Sequence, residues 1–102
     1  MATAVNPAAE DTYWRSSYNT RPGYVDGYSY DDDYLPAYRL GYESRNRYEG
    51  RTFEEVETTL QSDWERLRGA SRLSWGQARH ATRDAWHRVE RALPGDFDGD
   101  GR

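Results

Sequence analysis

TFEEVETTLQSDWERLRGASRLSWGQARHATRDAWHRVERAL, residues 52–93, holds the two segments from which the fold is read. Thr52 is followed three residues later by Glu55, a capping box whose hydroxyl and carboxylate satisfy two amides at a helix start. Glu54 and Glu57 add negative charge where the helix dipole favours it. Phe53, Val56, Leu60, Trp64 and Leu67 fall within an arc of about 80° at 100° per residue, one apolar face. Arg66, Arg68 and Gly69 are the residues expected where a helix stops. The spacing predicts a helix over 53–68. Ser74 and Gln77 repeat the capping box. Trp75, Ala78, Thr82, Ala85, Trp86, Val89 and Leu93 share a second face, and Pro94 and Gly95 end it, predicting a helix over 75–93. The short loop between them predicts an antiparallel hairpin in which large rings nest over small side chains. Trp64, Trp75 and Trp86 are read as core.

Upstream, Asp31, Asp32 and Asp33 supply capping carboxylates, and Pro36 is tolerated in a first turn. Tyr34, Tyr38 and Tyr42 recur every four residues and share a helical face. The pattern predicts a helix over 34–47, weakened by Gly41, which costs about 1 kcal/mol relative to Ala. Gly50 is a natural left-handed stop. Residues 1–31 show neither helical nor strand periodicity, since Tyr13, Trp14, Tyr18, Tyr24, Tyr28 and Tyr30 lie among Ser, Asn, Gly, Asp and Pro. The expected architecture is all-α: a small three-helix domain over 32–94, an irregular or disordered Tyr-rich arm over 1–31 and an acidic tail over 95–102.

The hydrophobic fraction is 35% and the mean hydropathy -1.18, yet aromatic residues reach 15% with 9 Tyr and 4 Trp, so the core is expected to rest on a few large rings. All 14 basic residues are Arg, against 18 acidic ones, giving a net charge of -4. That balance argues against non-specific nucleic-acid binding, which needs basic excess. With Cys at 0, disulfides and thiol catalysis are excluded. No stretch approaches the roughly 18 apolar residues of a membrane span. Met1 to Ala9 lacks the pattern of a signal peptide, so a cytoplasmic setting is expected.

Three constellations carry chemistry on paper. Asp96, Asp98 and Asp100, with Gly99 and Gly101, match the first half of a calcium-binding loop but lack the closing Glu. His80, Asp84 and His87 fall on one stripe of the last helix at zinc-ligand spacing, on the side opposite the Trp face and so toward water. Arg72, Arg79, Arg83 and Arg88 form a possible basic patch, although Asp84 and Glu90 offer them intrahelical partners. None of the three dominates, and no cofactor or metal is expected. There is no Gly-rich phosphate loop and no nucleophile beside a base, so no enzyme is expected.

The run Pro36-Ala37-Tyr38-Arg39-Leu40-Gly41-Tyr42-Glu43-Ser44 is followed by Arg51-Thr52-Phe53-Glu54-Glu55-Val56-Glu57, Asp63-Trp64-Glu65, Leu73-Ser74-Trp75 and Ala85-Trp86-His87-Arg88-Val89. In that order these motifs resemble a family of small uncharacterised bacterial proteins, some associated with general stress-response proteins. The resemblance spans roughly residues 30–90 and implies a bacterial stress context. It transfers no site residues. The expected function is a protein-interaction or self-association module, with a protein partner or homo-oligomer contacted through Tyr18, Tyr24, Tyr28 and Tyr30. The alternative is a nucleic-acid-associated protein using Arg and Tyr side chains.

Overall fold

Both capping boxes close in the computed structural model of the protein, which describes residues 6–21, 23–48 and 50–92. Glu55 donates its amide to the Thr52 hydroxyl at 3.1 Å, and the Thr52 amide donates to the Glu55 carboxylate at 2.9 Å. Ser74 and Gln77 exchange the same pair of bonds. Helix is the regular structure of the described residues, without a strand among them, and the α-helices are α1 (Pro7–Ser17), α2 (Leu35–Arg47), α3 (Phe53–Leu67) and α4 (Trp75–Ala92). The three helices read from periodicity are present. The fourth, α1, corrects the reading of residues 1–31 as an irregular arm.

Helix α1 starts on local chemistry that needs no apolar face. Asn6 accepts from the Ala8 and Ala9 amides, Pro7 stands in the first turn and Glu10 adds a favourable charge. Docking then holds it. The buried Trp14 indole stacks on Tyr38 at 4.4 Å, Glu10 pairs with Arg88 of α4 at 3.0 Å, and Tyr42 of α2 donates to Asp11 at 3.1 Å. The N-terminal segment is a wrap over α2 and α4.

The entry to α2 also differs. The first turn is a π-turn over Tyr30–Tyr34, in which the Leu35 amide donates to the Tyr30 carbonyl. Ser29, rather than an Asp, is the cap, accepting from the Asp32 amide at 3.1 Å. Asp33 reaches back to accept from the Ser29 amide at 2.9 Å. Of the three successive aspartates, Asp31 and Asp32 face water and Asp33 is fully buried.

The most extensive helix contact is α2 on α4, while the α3–α4 contact, the pair joined by the short loop, is smaller. Small residues make the α2–α4 contact possible. Gly41 lies so near α4 that a Cβ there would run into the Thr82 carbonyl oxygen and stand 2.8 Å from the Ala85 methyl. Thr82 donates its hydroxyl to the Ala37 carbonyl at 2.9 Å, so its buried polar atom is satisfied across the interface. Ala78 and Ala85 are fully buried, and Ala85 lies against the backbone of α2 at Gly41. Helix α3 closes the core from the side through Phe53, edge-on to Trp86 at 5.9 Å, and through Glu57, which accepts from Trp75 and Arg79 of α4. Trp64 is anchored by donation to the Leu73 carbonyl at 3.0 Å.

Burial pushes the phenols of Tyr30, Tyr34, Tyr38 and Tyr42 above the usual tyrosine range. A raised folded-state pKa stabilises the fold fully below the unfolded value of about 10, and that stability is lost as pH climbs above it. Tyrosinate absorbance in an alkaline titration should therefore show these four rings ionising only together with the loss of helical circular dichroism. Ionisation of all tyrosines before helix loss would contradict the buried placement.

Candidate functional site

Leu67 falls on the apolar arc of α3, yet its side chain is 50% exposed. The cause lies in how α3 ends. Gly69 takes φ +57, a left-handed value suited to glycine, and turns the chain off the helix axis. The following loop is then fastened to the π-turn: Ser71 donates to the Asp33 carbonyl at 2.8 Å and the Arg72 amide donates to the Asp33 carboxylate at 2.9 Å. Because the loop is tied at that point, the last turn of α3 stands off from the first turns of α2. The gap is a groove of about 420 Å³. Leu35, Pro36, Leu40, Leu67 and Ala70 supply its apolar lining.

The rim of this groove is charged and tilts acidic. Asp31 is paired with Arg15 at 2.8 Å, Arg39 with Asp11 at 3.9 Å, and Arg68 with Glu65 at 3.8 Å. Asp32 and Glu43 also line it, are exposed, and enter no ion pair among the described residues. Its volume falls within the range of about 300–1,000 Å³ typical of small-ligand clefts. No Ser, Thr, His or Cys lines it, and its carboxylates are on the rim. The arrangement is suited to holding an apolar side chain and offers no nucleophile.

The tyrosines expected to meet a partner pack against the molecule's own core, and burial corrects that expectation for Tyr30. Tyr30 is only 4% exposed, and Tyr18, Tyr24 and Tyr28 are half-buried against the core. Tyr18 sits 5.5 Å from Tyr24, 5.3 Å from Tyr30 and 5.5 Å from Tyr34, while Arg72 lies over Tyr28 at 4.3 Å. Tyr13, at 37% exposed, and Leu67 are the large apolar side chains left at the surface among the described residues. Tyr13 is itself covered on one face by Arg88 at 3.8 Å.

The basic patch read from Arg72, Arg79, Arg83 and Arg88 is largely neutralised, and by partners on other segments rather than within the helix. Arg72 pairs with Asp33 at 2.6 Å, Arg79 with Glu57 at 2.6 Å and Arg88 with Glu10 at 3.0 Å. His80, Asp84 and His87 do lie along one side of α4, but that side is partly roofed by the N-terminal segment. Arg21 binds Asp84 at 3.2 Å, Gly23 rests against the His80 ring, and His87 contacts Glu90 at 3.1 Å. Among the described residues no three His, Asp or Glu side chains gather as a metal-ligand set. Asp96, Asp98 and Asp100 lie outside the described residues, as do Leu93, Pro94 and Gly95. With Arg21, Arg83 and Arg91, the α4 stripe instead lines a cleft of about 280 Å³.

The chain matches no protein-family model, no curated protein and no solved structure. No helix among the described residues is long and apolar enough to cross a membrane.

Proposed function

We propose that this protein is a non-enzymatic interaction module of the bacterial cytoplasm, with a role in stress response, that associates with a second copy of itself through the Leu67 groove. The observation that carries the reading is the half-exposed leucine at the lip of an apolar trough in a molecule whose other large rings are largely turned inward. A knob and a hole side by side on one surface make a self-complementary patch, as a two-fold contact requires. Charge favours the same occupant. Asp32 and Glu43 on the rim enter no ion pair among the described residues, and Arg66 and Arg68 beside Leu67, which pair with Asp63 and Glu65 in the single chain, are exposed or half-exposed and are placed to exchange onto them across a two-fold contact. Bacterial and stress assignments rest on the motif order from Pro36 to Val89.

Sedimentation equilibrium over a concentration series tests this. The expected result is a mass rising from monomer to dimer, with Leu67→Glu weakening association at least about tenfold, or about 1.4 kcal/mol. Thermal unfolding of that variant at low concentration should match wild type, because the side chain is half solvated before association. A strictly monomeric wild type at every concentration rejects the reading. Nucleic-acid binding through Arg72, Arg79 and Arg88 is the weaker alternative, since each guanidinium already meets a carboxylate of the same chain.

A further inference from the structure

We infer that the cleft between Arg21 and the exposed stripe of α4 is a binding site for the phosphoryl group of a small anionic ligand. His80, Arg83, Asp84, His87 and Arg91 are spaced i, i+3, i+4, i+7 and i+11, so helical geometry alone lines them up. Arg21 closes the cleft from the opposite wall. Three guanidinium groups then face one carboxylate, an excess that repels a metal cation and attracts an anion.

Arg21 is prepared for the task in a way that an ordinary surface arginine is not. Its Nε donates to Asp84 at 3.2 Å, and its guanidinium lies 5.4 Å from the centre of the buried Trp14 ring. The two terminal nitrogens have no acceptor among the described residues. A fixed planar fork with two free donors is the geometry that grips phosphate oxygens in pairs. Asp84 is thus a positioning residue, holding the fork rather than meeting the ligand. Arg83 and Arg91 are exposed and in no ion pair among the described residues, in contrast to Arg72, Arg79 and Arg88. The left-handed turn at Gly23, with φ +90, packs backbone against the His80 side chain, which lines the cleft. This site shares no residue with the Leu67 groove and does not depend on it.

The test is titration of the full-length, 15N-labelled protein with inorganic pyrophosphate, followed by amide shifts. Saturable shifts confined to the segment around Arg21 and to residues 80–91 are expected. Arg83→Gln should weaken binding about tenfold without changing the thermal midpoint, because the side chain is exposed. Arg51→Gln removes an exposed arginine outside the cleft and should leave binding as in wild type. Shifts that never saturate, an equal loss in Arg51→Gln, or saturation by a short single-stranded oligonucleotide but not by pyrophosphate would each overturn the assignment.

Discussion

Gly41→Ala should lower the stability of the fold by about 1–2 kcal/mol, although the same change inside most helices raises it by up to about 1 kcal/mol. The sign inverts because of what faces the glycine. A methyl at position 41 meets the Thr82 carbonyl oxygen and the Ala85 methyl, and the first of these is backbone that cannot rotate away. Relief requires α2 and α4 to separate. Separation stretches the Thr82 to Ala37 hydrogen bond and loosens the rings that close over the interface, Tyr38 and Trp86 among them. Overpacking of that kind costs about 1–3 kcal/mol or more, against which the gain in helix propensity is partial compensation. Gly76 provides an internal control. It also lies in a helix, but its added methyl finds only the Ser74 hydroxyl at an ordinary 3.7 Å, so Gly76→Ala should stabilise by roughly 0.5–1 kcal/mol. Urea denaturation of the two variants should give shifts of opposite sign. If Gly41→Ala proves neutral or stabilising, the two helix backbones are not in contact.

The same glycine marks where sequence reading stops. Gly41 registers in the sequence as a helix weakener, and Ala78 and Ala85 as receptacles for indole rings, because a sequence shows the size of a side chain and not what stands opposite. Helices α3 and α4 were legible because a capping box is local chemistry: Thr52 with Glu55 and Ser74 with Gln77 need nothing from the rest of the chain. Asn6 followed by Pro7 and Glu10 is an equally local signal for α1, but no apolar period accompanies it. That period is missing because α1 docks through one buried indole and through polar contacts to Tyr42 and Arg88, partners far along the chain. The candidate sites were the least legible part. The groove is made by residues from the π-turn, α2, the end of α3 and the loop after it, and the cleft needs Arg21 to cross onto α4. A helical wheel correctly puts Leu67 on the apolar side of α3, but it cannot show that a loop tied to Asp33 leaves that side uncovered at the last turn.

That tie yields the second large effect: Asp33→Asn should cost about 3 kcal/mol near neutral pH, and most of the difference from wild type should vanish in acid. Asp33 has no exposed surface and gathers four donors, the Ser29 and Arg72 amides and two nitrogens of the Arg72 guanidinium. An asparagine keeps one acceptor oxygen but turns an NH2 group toward donors, leaving at least one of them unmet in a buried setting. The guanidinium of Arg72, with the two amides, holds the Asp33 carboxyl well below the usual carboxylate range, at about 2 against 3.8. A depressed folded-state value stabilises the protein above the unfolded pKa, and that contribution is lost as pH falls from about 4 through about 2. At about 1.4 kcal/mol per unit, the part that titrates amounts to about 2 kcal/mol. Wild type and Asp33→Asn should therefore differ most in urea midpoint near pH 6 and converge toward pH 2. Some acid sensitivity should persist in the variant, because Arg79 holds the Glu57 carboxyl below its ordinary value as well. Two curves that stay parallel down to the lowest pH would mean that Asp33 is not ionised against Arg72 in the fold, and the fastening that opens the Leu67 groove would need another cause.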